Sequence, residues 1–439
     1  MTTAPTTRLL PLPLSTGTVP DAVPVLSSFL AGDAAVLPLP DGPGAAARTR
    51  ATLTALMRPD EPAAPGTLIA CTSGSTGTPK GAVLRTPALD ASARATAELV
   101  ADRWGVSPGP WLLALPPHHI AGLQVVLRSL HAGFTPHVTD PDLDGFTAAT
   151  RALRAAHPGE DLHTSLVPTQ LVRILRDPAA TAALREYASV LVGGAATPPD
   201  VLARCRDAGV HILLTYGSSE TSGGMVYDGR PLPGTSVTLE DPDAAGVGRV
   251  LLHGPTVAEG YRNVPAGADG PDDAFPRPGT FRTSDLGQID HGVLTVLGRA
   301  DGAVNTGGLK VLPEEVEAAL AAAVPGATAC ALGVPDPEWG EAVVAVVATA
   351  PGAGVGVPGV DDDATAATAA APGAAADPAD PATPVDVTPR LRALLHDAAT
   401  PAHLIPRRVW RVPALPLTGP GKVDRVTVRR TVTALLDRG

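Results

Sequence analysis

Thr72-Ser73-Gly74-Ser75-Thr76-Gly77-Thr78-Pro79-Lys80-Gly81 follows directly on Gly66 to Cys71, an apolar run that reads as a strand. A loop of glycines, hydroxyl side chains and one lysine can surround phosphate oxygens with backbone N–H groups and hydroxyls. It is not the P-loop of nucleoside triphosphatases. That pattern needs glycine just before the lysine and Ser or Thr just after it, where this chain has Pro79 and Gly81.

Outward from this loop, further strand-like runs alternate with helix-like segments: Trp111 to Leu115, His163 to Val167, Ser189 to Val192 and Val210 to Thr215. Thr86-Pro87, Thr169 and Thr197-Pro198 offer helix starts between them. The alternation predicts an α/β domain. After Thr215 come shorter β pieces, Ser236 to Glu240, Gly248 to His253 and Gly292 to Leu297, separated by Gly/Pro/Asp turns, which suggest a β subdomain. Beyond Arg299 a helix over 313–323, strands near 327–332 and 342–350 and a last helix near 424–436 predict a smaller α+β unit. The expected boundaries are 1–298 and 303–439, with a hinge at 299–302. Residues 351–384, almost entirely Ala, Pro, Gly, Asp, Thr and Val, read as a flexible surface insertion.

With 439 residues, 44% hydrophobic and 18% charged, the chain is too apolar for a disordered polymer and long enough for several domains. A formal charge of −11 argues against general attraction to nucleic acid or an anionic membrane, so any polyanion must be held by a local pocket. Cys71, Cys205 and Cys330 are far apart and form no CxxC pair, which excludes a disulfide framework and fits the cytoplasm. The uncharged stretch 342–360 reads as a buried strand followed by a linker, because Pro351, Pro358 and several glycines interrupt its second half; no membrane span is expected. Adjacent His118 and His119 lack a nearby Cys or carboxylate to complete a zinc set.

Thr215-Tyr216-Gly217-Ser218-Ser219-Glu220-Thr221 puts an aromatic face, hydroxyls and a carboxylate at a strand's C-terminal end, where open α/β sheets bind ligands. Taken alone it reads as a plain strand-end turn. Together with the loop at 72–81, it makes the chain resemble the acyl-adenylate-forming superfamily: acyl-CoA synthetases, luciferases and the adenylation domains of peptide synthetases. The loop matches that family's Ser/Thr-Gly-Ser/Thr-Thr-Gly-x-Pro-Lys-Gly signature, which implicates Thr72, Ser73, Gly74, Ser75, Thr76, Gly77 and Lys80 in nucleotide binding. The second segment resembles the family's Tyr-Gly-x-Thr-Glu motif. By that likeness Tyr216 lies on adenine, Ser219 (in place of threonine) meets the α-phosphate beside Thr221, and Glu220 holds Mg²⁺. Phe281-Arg282-Thr283-Ser284-Asp285 resembles the Thr-Gly-Asp motif with serine for glycine, and implies that Asp285 binds the ribose.

Gly298-Arg299-Ala300-Asp301 resembles the hinge, with Arg299 reaching the ribose and Asp301 absorbing a torsional change between two orientations of the small domain. Asn305-Thr306-Gly307-Gly308-Leu309-Lys310 resembles the turn that serves the CoA side, implicating Gly307, Gly308 and Lys310. In Pro416 to Arg425, Lys422 matches the catalytic lysine, with Thr418, Gly421, Asp424 and Arg425 also in place. The resemblance implies a large N-terminal α/β domain with a β subdomain and a small mobile α+β domain. Its substrates would be ATP, a small-molecule carboxylic acid and coenzyme A, and Mg²⁺ its metal. About seventy residues precede the loop, as in the compact members, and Leu115 to Leu123, Arg128-Ser129-Leu130 and Gly193-Gly194-Ala195 give the greatest likeness to the o-succinylbenzoate–CoA ligases. His119, Gly193 and Gly194 would then line the acyl pocket and Arg128 would meet a second carboxylate, a core or surface role being as open for His119 and Arg128. Other aryl- or acyl-CoA ligases, and adenylation enzymes loading a carrier-protein thiol, stay open, as does the oligomeric state.

Overall fold

A computed structural model of the chain describes residues 6–72, 78–264, 274–349, 384–418 and 422–436. The predicted insertion lies almost wholly outside them, as do Ser73 to Gly77 of the phosphate loop. The described residues pack as two compact units. One extends to Thr283 and takes in Ile289–Thr295; the other comprises Ser284–Gln288, the residues from Val296 to Thr418 and those from Lys422 onward. The second unit thus takes in all the described residues of the expected small domain, together with Ser284–Gln288 and the end of the strand that precedes Arg299.

The first unit opens with a four-stranded sheet in the order β1-β2-β3-β4: β1 (Leu9–Leu14), β2 (Ala35–Pro40), β3 (Thr67–Cys71) and β4 (Gly81–Arg85), with helices α1 (Val19–Leu30) and α2 (Ala45–Met57). Prolines at 11, 13, 38 and 40 hid β1 and β2 from a propensity reading. The sheet accepts them because β1 is an edge strand and β2 pairs with β3 only at Val36 opposite Leu68, before its prolines begin.

A seven-stranded sheet follows, ordered β11-β10-β9-β8-β7-β5-β6. It contains β5 (Trp111–Leu113), β6 (His137–Val138), β7 (Leu162–Leu166), β8 (Tyr187–Val192), β9 (Ile212–Ser218), β10 (Gly223–Tyr227) and β11 (Arg230–Pro231). β5 to β9 are parallel, as α/β crossovers require; β10 and β11 continue antiparallel. Side chains alternate across the sheet. Trp111, Leu113, Leu191 and Leu213 pack toward α3 (Thr86–Trp104) and α4 (Ile120–His131). Leu112, Leu162, Leu166, Val190 and Val192 pack toward α5 (Phe146–Ala156), α6 (Pro168–Ile174), α7 (Pro178–Leu184) and α8 (Pro199–Asp207). The helix start read at Thr86-Pro87 is where α3 begins, with Arg85 rather than Thr86 as its N-cap; the Thr86 hydroxyl instead donates to the carbonyls of Phe29 and Gly66. β12 (Ser236–Glu240), β13 (Val247–His253), β14 (Thr280–Asp290) and β15 (Val293–Arg299) form the predicted β subdomain sheet.

The second unit is α+β. Its sheet runs β17-β16-β19-β21-β20, with β18 also on β19: β16 (Val304–Thr306), β17 (Leu309–Val311), β18 (Ala327–Asp336), β19 (Gly340–Thr349), β20 (Val385–Asp386) and β21 (Arg408–Val412). The uncharged run at 342–349 is thus a buried central strand. Helices α9 (Pro313–Ala323) and α10 (Thr388–Asp397) cover one face; α11 (Arg425–Leu436) covers the other and follows a hairpin of β22 (Leu417–Thr418) and β23 (Lys422–Val423). Among the described residues no helix is long and apolar enough to cross a membrane.

Candidate active site

The phosphate loop joins antiparallel β3 and β4, which pair from Thr67–Arg85 up to Cys71–Gly81. Its base is closed by the Thr72 N–H donating to the Lys80 carbonyl at 2.8 Å. Asn263 fastens the far end: its Nδ2 donates to the Pro79 carbonyl (2.8 Å) and its Oδ1 accepts from the Gly81 N–H (3.0 Å). Next to it, Tyr261 lies under Lys80, whose Nζ is 4.9 Å from the ring centroid. The Tyr261 hydroxyl donates to Glu220 Oε1 at 2.8 Å. Lys80, Tyr261 and Glu220 are thereby one group. Sequence reading missed Tyr261 and Asn263; the only cue was a tyrosine, scarce in this chain, set in a Gly/Pro-rich stretch.

Glu220 sits in a single 3-10 turn, Ser219–Thr221, that ends β9. The Ser218 hydroxyl accepts from the Glu220 N–H at 3.2 Å, and the Ser218 N–H donates to Thr221 Oγ1 at 2.9 Å. Thr221 corrects an expectation. It is fully buried and its hydroxyl donates to the Gly223 carbonyl at 2.7 Å, so it builds the turn and does not face a nucleotide. Behind the turn, the Ser222 carbonyl accepts from Gln124 Nε2 at 2.6 Å, which ties it to α4. Tyr216 and Ser219 are half-buried beside Glu220 on the same strand end. The donor set suits Mg²⁺: one buried carboxylate whose Oε1 is held by a phenol, beside a phosphate loop, because magnesium is bound by one or two carboxylates with substrate phosphates and waters completing its shell.

At the same C-terminal edge, Gly193 follows β8 and passes so close to Thr215 that a Cβ would fall on its hydroxyl, while Gly194 takes the left-handed φ of +86°. His119, N-cap of α4, follows β5 with its ring 4.2 Å from that of His118. Burial lowers the pKa of both; for His118, whose Nδ1 has no partner, it falls to about 4. Both rings are therefore neutral at pH 7.

Arg128 is elsewhere. It lies on α4 with Trp111, His163 and Ser189 near the N-terminal ends of β5, β7 and β8, the opposite edge from Gly193, Tyr216 and Glu220. Of its two expected roles, that of meeting a substrate carboxylate is not what this position provides.

In the second unit Asp285, Arg299, Asp301 and Lys422 form one electrostatic cluster. Arg299 Nε and Nη2 donate to the two carboxylate oxygens of Asp301 at 2.8 and 2.6 Å. That pair raises the arginine's pKa, with Asp285 and Glu314 adding to it. Lys422, opposite Thr418 in the hairpin and exposed at its surface, has its pKa lowered first by partial desolvation and then by Arg299 and Arg425, with Asp285 and Asp301 opposing. Arg425 and Asp424 are structural. Arg425 bridges Glu317 (2.7 Å) and the Ala331 carbonyl (2.7 Å), and Asp424 accepts from Val426, Thr427 and the Thr427 hydroxyl to cap α11. Gly307 and Gly308, at φ +57° and +82°, make the two-residue turn between β16 and β17, with Lys310 exposed on β17. A Cβ on Gly307 would strike the Trp339 indole, whose carbonyl accepts from the Gly307 N–H at 3.0 Å.

The three thiols are free and held protonated by burial: Cys71, next to the loop, and Cys330 are pushed up to about 12 and Cys205 to about 11.

Residues 25–262 match the family model described as AMP-binding enzyme. The chain is 42% identical, over 379 residues covering 84% of it and 86% of the relative, to a probable 2-succinylbenzoate–CoA ligase of Mycobacterium tuberculosis. It is 33% identical to the 2-succinylbenzoate–CoA ligase of Escherichia coli, over 63% of this chain and 57% of that one. Among solved structures, the o-succinylbenzoate CoA synthetase of Bacillus subtilis in complex with its acyl-adenylate intermediate superposes with a TM-score of 0.61 at 23% identity, covering 82% of this chain and 68% of that one. The fold is that of the acyl-adenylate-forming enzymes.

Proposed function

Because the chain belongs to the AMP-binding enzyme family, we propose that it is an ATP-dependent, AMP-forming acid–CoA ligase that converts 2-succinylbenzoate to its CoA thioester in the cytoplasm. The observation that carries this reading is the 42% identity, spread over more than four fifths of both chains, to a probable ligase of that name. Beside it, this chain carries Glu220, Asp285 and Lys422, the carboxylates and ammonium that the proposed chemistry needs.

In the first half-reaction a carboxylate oxygen of the acid attacks the α-phosphorus of ATP, and the bond to pyrophosphate breaks, leaving acyl-AMP. Lys80 and the hydroxyl-rich loop hold the phosphates, Tyr216 offers its ring to adenine, Asp285 accepts from the ribose hydroxyls, and Lys422 offsets charge developing between attacking and leaving oxygens. Bound by Glu220, Mg²⁺ would supply further charge neutralisation at the phosphates. His119, neutral through burial, contributes a polar but uncharged wall to the acyl pocket along with Gly193 and Gly194. In the second half-reaction the CoA thiolate attacks the acyl carbonyl and AMP leaves. The Gly307-Gly308 turn, with Lys310 and Trp339 beside it, is the segment proposed to meet CoA, and Asp301 the position at which the chain turns between the two steps.

Incubation of the protein with ATP, Mg²⁺, CoA and 2-succinylbenzoate, beside a panel of benzoates and fatty acids, tests the reading by mass analysis of the thioesters. Product from 2-succinylbenzoate alone supports it. Product only from another acid overturns the substrate, and pyrophosphate release without any thioester points to a carrier-protein acceptor.

A further inference from the structure

Arg128 is only 7% exposed, yet no carboxylate pairs with it among the described residues. Its Nη2 donates to Thr96 Oγ1 (3.2 Å) and to the Tyr227 hydroxyl (3.3 Å), its guanidinium carbon lies 5.5 Å from the Trp111 ring centroid, and its Nε has no partner. A buried cation answered only by neutral groups is costly unless something else compensates it. The nearby carboxylates are engaged elsewhere: Asp90 with His131 at 2.6 Å, and Asp161 with the Ser107 N–H at 2.7 Å.

Arg128 borders a cavity of about 160 Å³ between α3, α4 and the sheet. Its floor is His163, whose Nε2 donates to the Ser107 carbonyl (3.0 Å) and whose Nδ1 meets Ser189 Oγ (2.8 Å), so the ring is fixed on both sides. The walls are mostly apolar, Ala93, Ala97, Val100 and Val106 among them, with Thr96, Ser107 and the Asp90-paired His131 as polar exceptions, and the exposed Arg94 adds a second cation at the rim. A volume near 150 Å³ holds a benzene ring. Apolar walls around one buried guanidinium favour a flat organic anion over a fully hydrated inorganic one. Arg128 lies eight residues along α4 from Ile120, about 12 Å down the axis from the catalytic edge, so this cavity is not the acyl pocket.

We propose that this cavity is a second ligand site, which binds a small organic monocarboxylate of benzoate size through Arg128. The inference does not rest on the ligase reading, and its failure would leave that reading untouched.

Calorimetric titration of the full chain with sodium benzoate, at ionic strength held constant with sodium chloride, tests it in the wild type, Arg128→Met and Ala97→Phe. The methionine keeps an apolar stem without the charge; the phenylalanine fills the cavity and leaves Arg128 in place. Benzoate should bind the wild type and bind each variant at least tenfold more weakly, with melting temperatures confirming that both variants fold. No binding to the wild type overturns the proposal. So does unchanged affinity in the variants, which would put benzoate elsewhere, or equal competition by inorganic phosphate, which would make this a general anion site. If Arg128→Met fails to fold, Ala97→Phe decides alone.

Discussion

Arg299 grips Asp301, two residues further on, with both ends of its guanidinium fork, at 2.8 and 2.6 Å. The arginine expected to reach a ribose is thus occupied by the aspartate expected to act as the pivot. Both side chains are more than a third exposed, so the pair contributes under about 1 kcal/mol to stability. Asp301→Ala should leave urea denaturation nearly unchanged while lowering the KM for ATP about two- to fivefold, since the guanidinium no longer has to be drawn off its partner. An unchanged KM would show that Arg299 does not exchange between the two.

Tyr261→Phe removes the hydroxyl that holds Glu220 Oε1 but keeps the ring under Lys80. A hydrogen bond to a carboxylate is worth about 1.5–3 kcal/mol. Steady-state kinetics should show the KM for Mg·ATP raised about tenfold, whereas a purely structural tyrosine would shift only the melting temperature.

Lys422→Ala should cost adenylation ~3 kcal/mol or more, over a hundredfold, and leave thioester formation from supplied acyl-AMP largely intact. Because partial desolvation and the nearby Arg299 and Arg425 lower this ammonium's pKa, the alkaline limb of adenylation should begin below the range of an ordinary lysine and shift in Lys422→Arg. Equal loss in both half-reactions defeats the assignment.

His118 carries an acid liability. Its folded pKa of about 4 lies below the usual 6.5, so between these values the unfolded chain binds the extra proton. Its stabilising contribution is complete above pH 6.5 and is lost as pH falls toward 4. Urea midpoints measured from pH 7 to pH 4.5 should fall less steeply in His118→Asn than in the wild type.

Local pattern made much of this protein legible. The helix at Pro313–Ala323 and the strands ending at Cys71 and Val192 stand where periodicity puts them, because each buries a regular apolar face. The proline-rich β1 and β2 were not legible, since what makes their prolines tolerable is an edge position and a short pairing. Among the candidate residues, the motifs singled out Glu220 in the first unit and Asp285, Arg299 and Lys422 in the second, but not Asn263 or Tyr261, whose partners lie far away in sequence. They also named Thr221 as a ligand residue, because a pattern of hydroxyls does not reveal that one of them closes its own turn.

The protonated state of Cys71, Cys205 and Cys330 has a practical side. Thiolates, not thiols, react with maleimides, and at neutral pH each of these groups is almost wholly thiol. The wild-type chain is therefore a nearly silent background for site-directed labelling. A fluorophore on a cysteine introduced at exposed Thr52, in the first unit, and another at exposed Thr433, in the second, would report on each unit separately without first stripping the protein of its own sulfur.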